Sequence, residues 1–130
     1  FIPLIAAMGG NVGIQSSALI VQGIANQSLS GSILSKLFKE FGVGIVNGLL
    51  CGILLFVVNI IDDKSLEYSF AISISLLSVI IFAAVFGTWI PLFFNKIKID
   101  PALATGPFIT TANDIFGLFL YFYICKILIT

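Results

Sequence analysis

Four long apolar runs limit the possible fold of this chain more than any other feature. They cover approximately residues 2–24, 41–61, 68–94 and 104–129. A helix needs about 20 apolar residues to cross the roughly 30 Å hydrocarbon core of a bilayer. Only helices and closed barrels satisfy the backbone in lipid, and these runs are too long and alternate too weakly for barrel strands. The sequence therefore predicts an all-α polytopic transmembrane bundle, with four spans in a single domain over residues 1–130.

Composition excludes several classes of protein. Of 130 residues, 59% are hydrophobic and only 9% are charged, which excludes a soluble domain, and the net charge of zero does not suggest nucleic-acid binding. Histidine is absent, so the chain lacks imidazole metal ligands and a Ser-His-Asp triad. Cys51 and Cys125 lie inside apolar runs without metal-site spacing. We therefore predict that the protein is not an enzyme, although Ser16 and Ser17 remain candidate nucleophiles.

Loop charges predict the orientation of the helices. The first loop (26–40) and the third (95–100) carry lysines, whereas the second (62–67) is mainly acidic. The positive-inside rule places the first and third loops in the cytoplasm. Because Phe1 lies at the start of an apolar run without a charged leader, we expect the chain to be part of a longer protein. If that protein has a cytoplasmic N-terminal region, an odd number of helices precedes Phe1.

Asp114 is the feature of the fourth run that most directly suggests a function. It is the only charged residue between Asp100 and Lys126. A carboxylate near the centre of a membrane helix costs roughly 2.5–3.5 kcal/mol on insertion scales, and such residues usually face a water-filled path or a cation. The alternative is a capping role or pairing with a lysine, but no lysine lies at comparable depth in any run. Asp114 is therefore the main candidate for an ion-binding residue.

Polar and small residues form a face on the fourth run. Pro107 frees the carbonyl of Leu103, and Gly106 loosens the same turn. The sequence predicts a broken helix there, whose backbone oxygens would lie about two turns before Asp114. The residues that share the face at three- and four-residue steps are Pro107, Thr110, Thr111, Asp114, Gly117 and Tyr121.

The first and second runs each have a distinct helical face. In the first, the amides of Asn11, Gln15 and Gln22 either contact the water shell of a cation or form interhelical hydrogen bonds. Both interpretations stay open. In the second, the four-residue spacing predicts a close-packing face, which consists of Gly44, Gly48 and Gly52.

Two motifs resemble a known family. The first is P-x-x-x-x-M-G-G-N-x-G-x-Q at residues 3–15, and the second is P-x-x-x-T-G-P-F-x-T-T-x-x-D at residues 101–114. Together they resemble the membrane domain of the MgtE family of magnesium channels. The resemblance implies that these spans are helices two to five of a five-helix domain in the cell (inner) membrane. It also implies cytoplasmic N-terminal and CBS regulatory domains in the parent chain.

The resemblance further implies a homodimer with the ion path between the protomers. Asp114 of each chain would bind a largely hydrated Mg²⁺, which gives up its waters reluctantly. The oxygen ligands available do not distinguish Mg²⁺ from Mn²⁺, Co²⁺ or Ni²⁺. Weaker candidates for contact with the ion are Asn11, Gly10, Gln15, Pro107, Thr110 and Thr111.

Two other functions remain as alternatives. Asp114 could be the coupling site of a proton- or Na⁺-driven carrier, or the chain could be a membrane assembly module held together by its glycine faces. An Asp114→Asn substitution separates them, because only an assembly module would keep its ion flux unchanged.

Overall fold

The computed structural model describes residues 1–28 and 32–129, which form four long α-helices and one short 3₁₀ helix. Each α-helix is long and apolar enough to cross a membrane, which confirms the predicted all-α bundle. The 3₁₀ helix, Pro101–Ala104, lies between the third and fourth α-helices. The α-helices are α1 (Ile2–Ala25), α2 (Ile33–Ile61), α3 (Leu66–Lys96) and α4 (Pro107–Ile129).

Helix α2 begins eight residues earlier than predicted. The side chain of Ser32 caps it by accepting a hydrogen bond from the Ser35 N–H at 3.1 Å. Its 29 residues span about 44 Å, more than the hydrocarbon core requires. Hydropathy detects the lipid-facing part of a helix but not its polar ends, which is why the predicted first loop was too long. The predicted loop, residues 26–40, was therefore wrong for Lys36, Lys39 and Glu40, which lie on α2. Residues 29–31 of that loop lie outside the part of the chain that the structure describes.

Helix α4 begins at Pro107, three residues after the predicted start of the span at residue 104. The chain is extended at Thr105 and left-handed at Gly106, where φ is +53°. Pro107 then occupies the start of the helix, where its missing N–H leaves no helical bond unmade. The predicted break is therefore present. It is a full interruption between the 3₁₀ helix and α4, not a kink within one helix.

Helix α3 lies at the centre and packs against the other three α-helices. Its buried side chains form most of the hydrophobic core, together with Ile5, Val12 and Leu55. The glycine face of α2 lies against α3, as predicted from its spacing. On the other side of α3, Phe116 of α4 packs against two stacked rings, Phe82 and Phe86, with centroids 5.9 Å from each. The site residues of α1 and α4 are thus held on one scaffold.

Candidate functional site

Asp114 lies on α4 about two turns after the helix begins, at the edge of the face that packs against the bundle. Its side chain is half-buried and has no hydrogen-bond or ion-pair partner among the described residues. Thr110, one turn earlier, is also half-buried, whereas Thr111 and Pro107 are exposed. The carboxylate is therefore not used to cap a described helix or to pair with a described lysine.

The contact between α1 and α4 places two predicted site residues beside each other. A methyl group on the Cα of Gly10 would lie 3.9 Å from Cγ2 of Thr110. Because Thr110 and Asp114 are one turn apart on α4, the edge that carries Asp114 is the edge next to Gly10. A larger side chain at position 10 would reduce the space between α1 and α4 beside Asp114.

Asn113 is a site residue that the sequence analysis missed. It is only 3% exposed, and its Nδ2 donates a hydrogen bond of 3.3 Å to the Gly9 carbonyl on α1. A side chain at Gly13 would overlap the Asn113 amide. The Asn113 Oδ1 is buried without a partner among the described residues. The signal was available in the sequence: Asn113 and Gly117 share a helix face, and Gly9 and Gly13 form a matching small-residue face on α1.

The amide face of α1 is open. Asn11, Gln15 and Gln22 are all exposed, on the side of the helix away from the buried residues that contact α3 and α4. None of the three forms a side-chain hydrogen bond within the described part of the chain. One interpretation of this face was interhelical hydrogen bonding. Within the described part of a single chain, these three amides form no such bonds.

A second acidic residue, Glu40 of α2, is half-buried and contacts α1. Ser16, which is 5% exposed, donates a hydrogen bond of 3.0 Å from its Oγ to Oε2 of Glu40. Ser16 is one turn beyond Gly13, whose neighbour on α4 is Asn113. The prediction had placed Glu40 in a cytoplasmic loop, and the early start of α2 explains the difference.

The ligands available in one chain suit a hydrated cation better than a stripped one. Among the described residues, no three His, Cys, Asp or Glu side chains cluster closely enough to hold a metal. Around Asp114 the chain provides one carboxylate, the Thr110 hydroxyl group one turn earlier and, next to Thr110, the buried backbone of Gly10. Mg²⁺ takes six oxygen ligands, more than these groups provide, so an ion of this kind held there would keep most of its waters.

Comparison with known proteins identifies relatives along nearly the whole chain. The family model MgtE, described as a divalent cation transporter, matches residues 2–124. Magnesium transporter MgtE of Bacillus subtilis is 37% identical over 123 residues, which are 94% of this chain and 27% of that protein. The proteins of the same name from Enterococcus faecalis and Thermus thermophilus are 35% and 31% identical, over 97% and 99% of this chain and 28% and 29% of their own lengths. The chain thus spans less than a third of these relatives.

Proposed function

Because this chain belongs to the MgtE family of divalent cation transporters, we propose that it forms a membrane pathway for divalent cations, chiefly hydrated Mg²⁺. The family is one of transporters and not of enzymes, as the sequence predicted, and the protein is a multi-pass membrane protein. The observation that carries the proposal is the Asp114 carboxylate, which is half-buried within a membrane helix and lacks a described partner. A carboxylate in this environment is stabilised by a cation.

We further propose that the pathway lies between two copies of the chain. The uncovered amide face of α1 and the Asp114 edge of α4 are polar surfaces that would be costly to leave against lipid. Two Asp114 carboxylates facing each other would match the charge of a divalent cation and would repel each other without one. Asn11 and Gln15 would contact the ion's waters, and the backbone carbonyls of Gly10, Pro107 and Thr110 are further candidates for such contacts. Thr111 completes the set from its exposed position on α4.

The parent protein of this chain is expected to carry further domains. The relatives are more than three times as long as the matched segment. We propose that cytoplasmic N-terminal and CBS domains regulate the pathway, as the family resemblance implies. Regulation of this kind would act on the helices described here from the cytoplasmic side.

Replacing Asp114 by Asn tests the ion site directly. The substitution removes the charge but keeps the size and hydrogen-bonding capacity of the side chain. We expect Mg²⁺ flux into dye-loaded liposomes to fall at least about tenfold, since a carboxylate–cation interaction worth about 1.4 kcal/mol or more is lost. The intact protein is used, and its assembly state is confirmed before the flux is compared.

The matched control is Asp62→Asn, which removes the same charge from the exposed end of α2. It should leave Mg²⁺ flux unchanged. Equal flux in Asp114→Asn and the unmodified protein would show that Asp114 is structural. Flux that depends on a proton or Na⁺ gradient, and loses that dependence in Asp114→Asn, would favour the coupled carrier.

A further inference from the structure

The buried apolar side chains of the described residues form two clusters, which α3 connects. The first, here called the central cluster, joins α1, α2 and α3 as far as Ala84. The second, here called the end cluster, joins the last turns of α3 to the 3₁₀ helix and the first turn of α4. The positive-inside rule places it on the cytoplasmic side, next to the lysines of the third loop. The end cluster consists of Ile90, Ala104 and Ile109, with Phe86 and Phe94 packed against them.

Between the two clusters, α3 lacks a backbone hydrogen bond. Pro91 lies inside the helix and has no N–H to donate to the carbonyl of Gly87, four residues earlier. The Thr88 hydroxyl donates a hydrogen bond of 2.9 Å to the Ala84 carbonyl, and bonds of this type often bend helices. Sharp kinks in long helices occur mainly at such interruptions. The segment from Ala84 to Pro91 is therefore the part of α3 that bends most easily.

Gly87 holds this segment against α1. A methyl group at Gly87 would lie 2.5 Å from the Gly13 carbonyl oxygen and 3.0 Å from the Gly13 Cα, so the two backbones are in direct contact. Gly13 also contacts the Asn113 side chain of α4. A contact between two glycines has no interlocking side chains that resist rotation. It can therefore serve as a pivot.

Asp114 lies between the parts of α4 that contact the two clusters. Ile109, before it, belongs to the end cluster. Gly117, after it, lies against the central cluster, because a methyl group there would be 3.3 Å from Cγ1 of Val79. Gly106, just before α4, has a left-handed φ and open space around its Cα. A movement of the end cluster therefore displaces the start of α4 relative to the central cluster and changes the surroundings of Asp114.

We propose that α3 is a hinge at Gly87–Pro91 and that further bending there moves the end cluster and opens the cytoplasmic approach to Asp114. In the structure, Thr110 near the start of α4 lies beside Gly10 of α1, so moving the start of α4 away widens this approach. The role of the hinge as a gate rests on the proposed function, whereas its bending does not.

The size of the end cluster and the length of the lever both suit such a movement. The end cluster has fewer buried residues than the central cluster, so displacing it disrupts less packing. Ten residues of helix form a lever about 15 Å long, and a change in bend of about 20° moves its end by about 5 Å. This displacement exceeds the roughly 2.8 Å diameter of a water molecule.

Two substitutions of Pro91 separate bending from packing. Pro91→Ala and Pro91→Gly both restore the backbone N–H and both remove the fully buried ring. Alanine stiffens the helix, whereas glycine keeps it flexible. We expect Mg²⁺ flux into dye-loaded liposomes to fall about fivefold in Pro91→Ala, which corresponds to one net hydrogen bond of about 1 kcal/mol. Flux in Pro91→Gly should stay within about twofold of the unmodified protein, although glycine leaves the larger void.

Hydrogen exchange of the backbone amides in residues 84–96 measures the bending without reference to ion flux. The intact protein in liposomes is used, and exchange is followed by mass spectrometry. Because these amides exchange through local opening of the helix, we expect exchange to be about fivefold slower in Pro91→Ala than in the unmodified protein. In Pro91→Gly it should stay within about twofold of the unmodified protein.

Several outcomes would overturn the proposal. Equal losses of flux in the two variants would attribute the effect to the missing ring, and unchanged exchange in Pro91→Ala would show that α3 does not bend at this position. Slower exchange with unchanged flux would leave a hinge that does not control the path. No Mg²⁺ flux in the unmodified protein would overturn the proposed function and with it the gate, whereas the exchange rates would still test the hinge.

Discussion

Asn113 and Asp114 are adjacent in the chain, but their side chains lie in opposite environments. Consecutive residues of an α-helix point about 100° apart. Asn113 therefore points into the contact with α1, where its amide binds the Gly9 carbonyl. Asp114 lies at the edge of that contact, half-buried and without a described partner. We infer that the amide fixes the position of α4 against α1 and leaves the Asp114 carboxylate outside the helix contact.

Replacing Asn113 by Ala should lower the free energy of unfolding by about 1 kcal/mol. Interhelical hydrogen bonds in membranes average about 0.6 kcal/mol, and the truncation also leaves a small void beside Gly13. Unfolding by denaturant in mixed micelles, followed by circular dichroism, measures the change. The control is Asn47→Ala, since Asn47 is half-buried on α2 and forms no side-chain hydrogen bond within the described part. A loss as large in Asn47→Ala would contradict a specific role for Asn113.

At the scale of the element, α2 is joined to α3 through its glycines. A methyl group at Gly44 would lie 3.0 Å from the Ile81 Cα, and one at Gly52 would lie 3.3 Å from the Ser73 carbonyl oxygen. At Gly48 it would overlap the Leu77 side chain. The neighbours at Gly44 and Gly52 are backbone atoms, which cannot move aside as a flexible side chain can. The two helices approach this closely only because the side chains are absent.

Replacing Gly44 by Ala should therefore destabilise the bundle, although alanine favours a helix more than glycine does. We expect a loss of about 1–3 kcal/mol from overpacking, partly offset by a propensity gain of up to about 1 kcal/mol. Gly42→Ala is the matched control, because a methyl group there would have no neighbour within 4 Å. It should be neutral or stabilising in the same unfolding measurement. If the two variants behaved alike, the glycine face would not be a packing contact.

At the scale of the whole molecule, the bundle leaves polar and apolar surfaces exposed on different helices. The open face of α1 carries amides, whereas that of α2 carries large aliphatic residues such as Leu50, which is 65% exposed. Lipid suits the second surface but not the first. This difference supports the proposed water-filled path and second copy of the chain beside α1, and lipid beside α2.

Cysteine accessibility distinguishes the two surfaces. In a background where Cys51 and Cys125 are replaced by alanine, we expect Asn11→Cys to react with a water-soluble thiol reagent at least about tenfold faster than Leu50→Cys. The reason is that thiols ionise and react in water but not in hydrocarbon. Reaction rates are measured on the intact protein in liposomes. Equally slow reaction at both positions would place the amide face against lipid or protein and would contradict a water-filled path beside α1.

Much of the architecture could be predicted from the sequence, because lipid offers no hydrogen-bond partners and the backbone of a membrane span must therefore form its own. Runs of about 20 apolar residues must be helices, and a carboxylate among them is costly enough to identify Asp114 as exceptional. The glycine spacing on α2 likewise predicted a close contact that the structure confirms. The motifs of the first and fourth runs predicted the family, which the comparisons confirm.

The tertiary structure alone decided which polar residues meet. Hydropathy reports how well a segment suits lipid but not which neighbouring helix it faces. It therefore predicts a loop at Glu40, which in the structure lies on α2 and accepts a hydrogen bond from Ser16. The buried role of Asn113 depends on the register of α1 against α4, which no pattern within one helix contains. Local sequence determined the helices and their exceptional carboxylate, whereas contacts between distant segments determined the surroundings of that carboxylate.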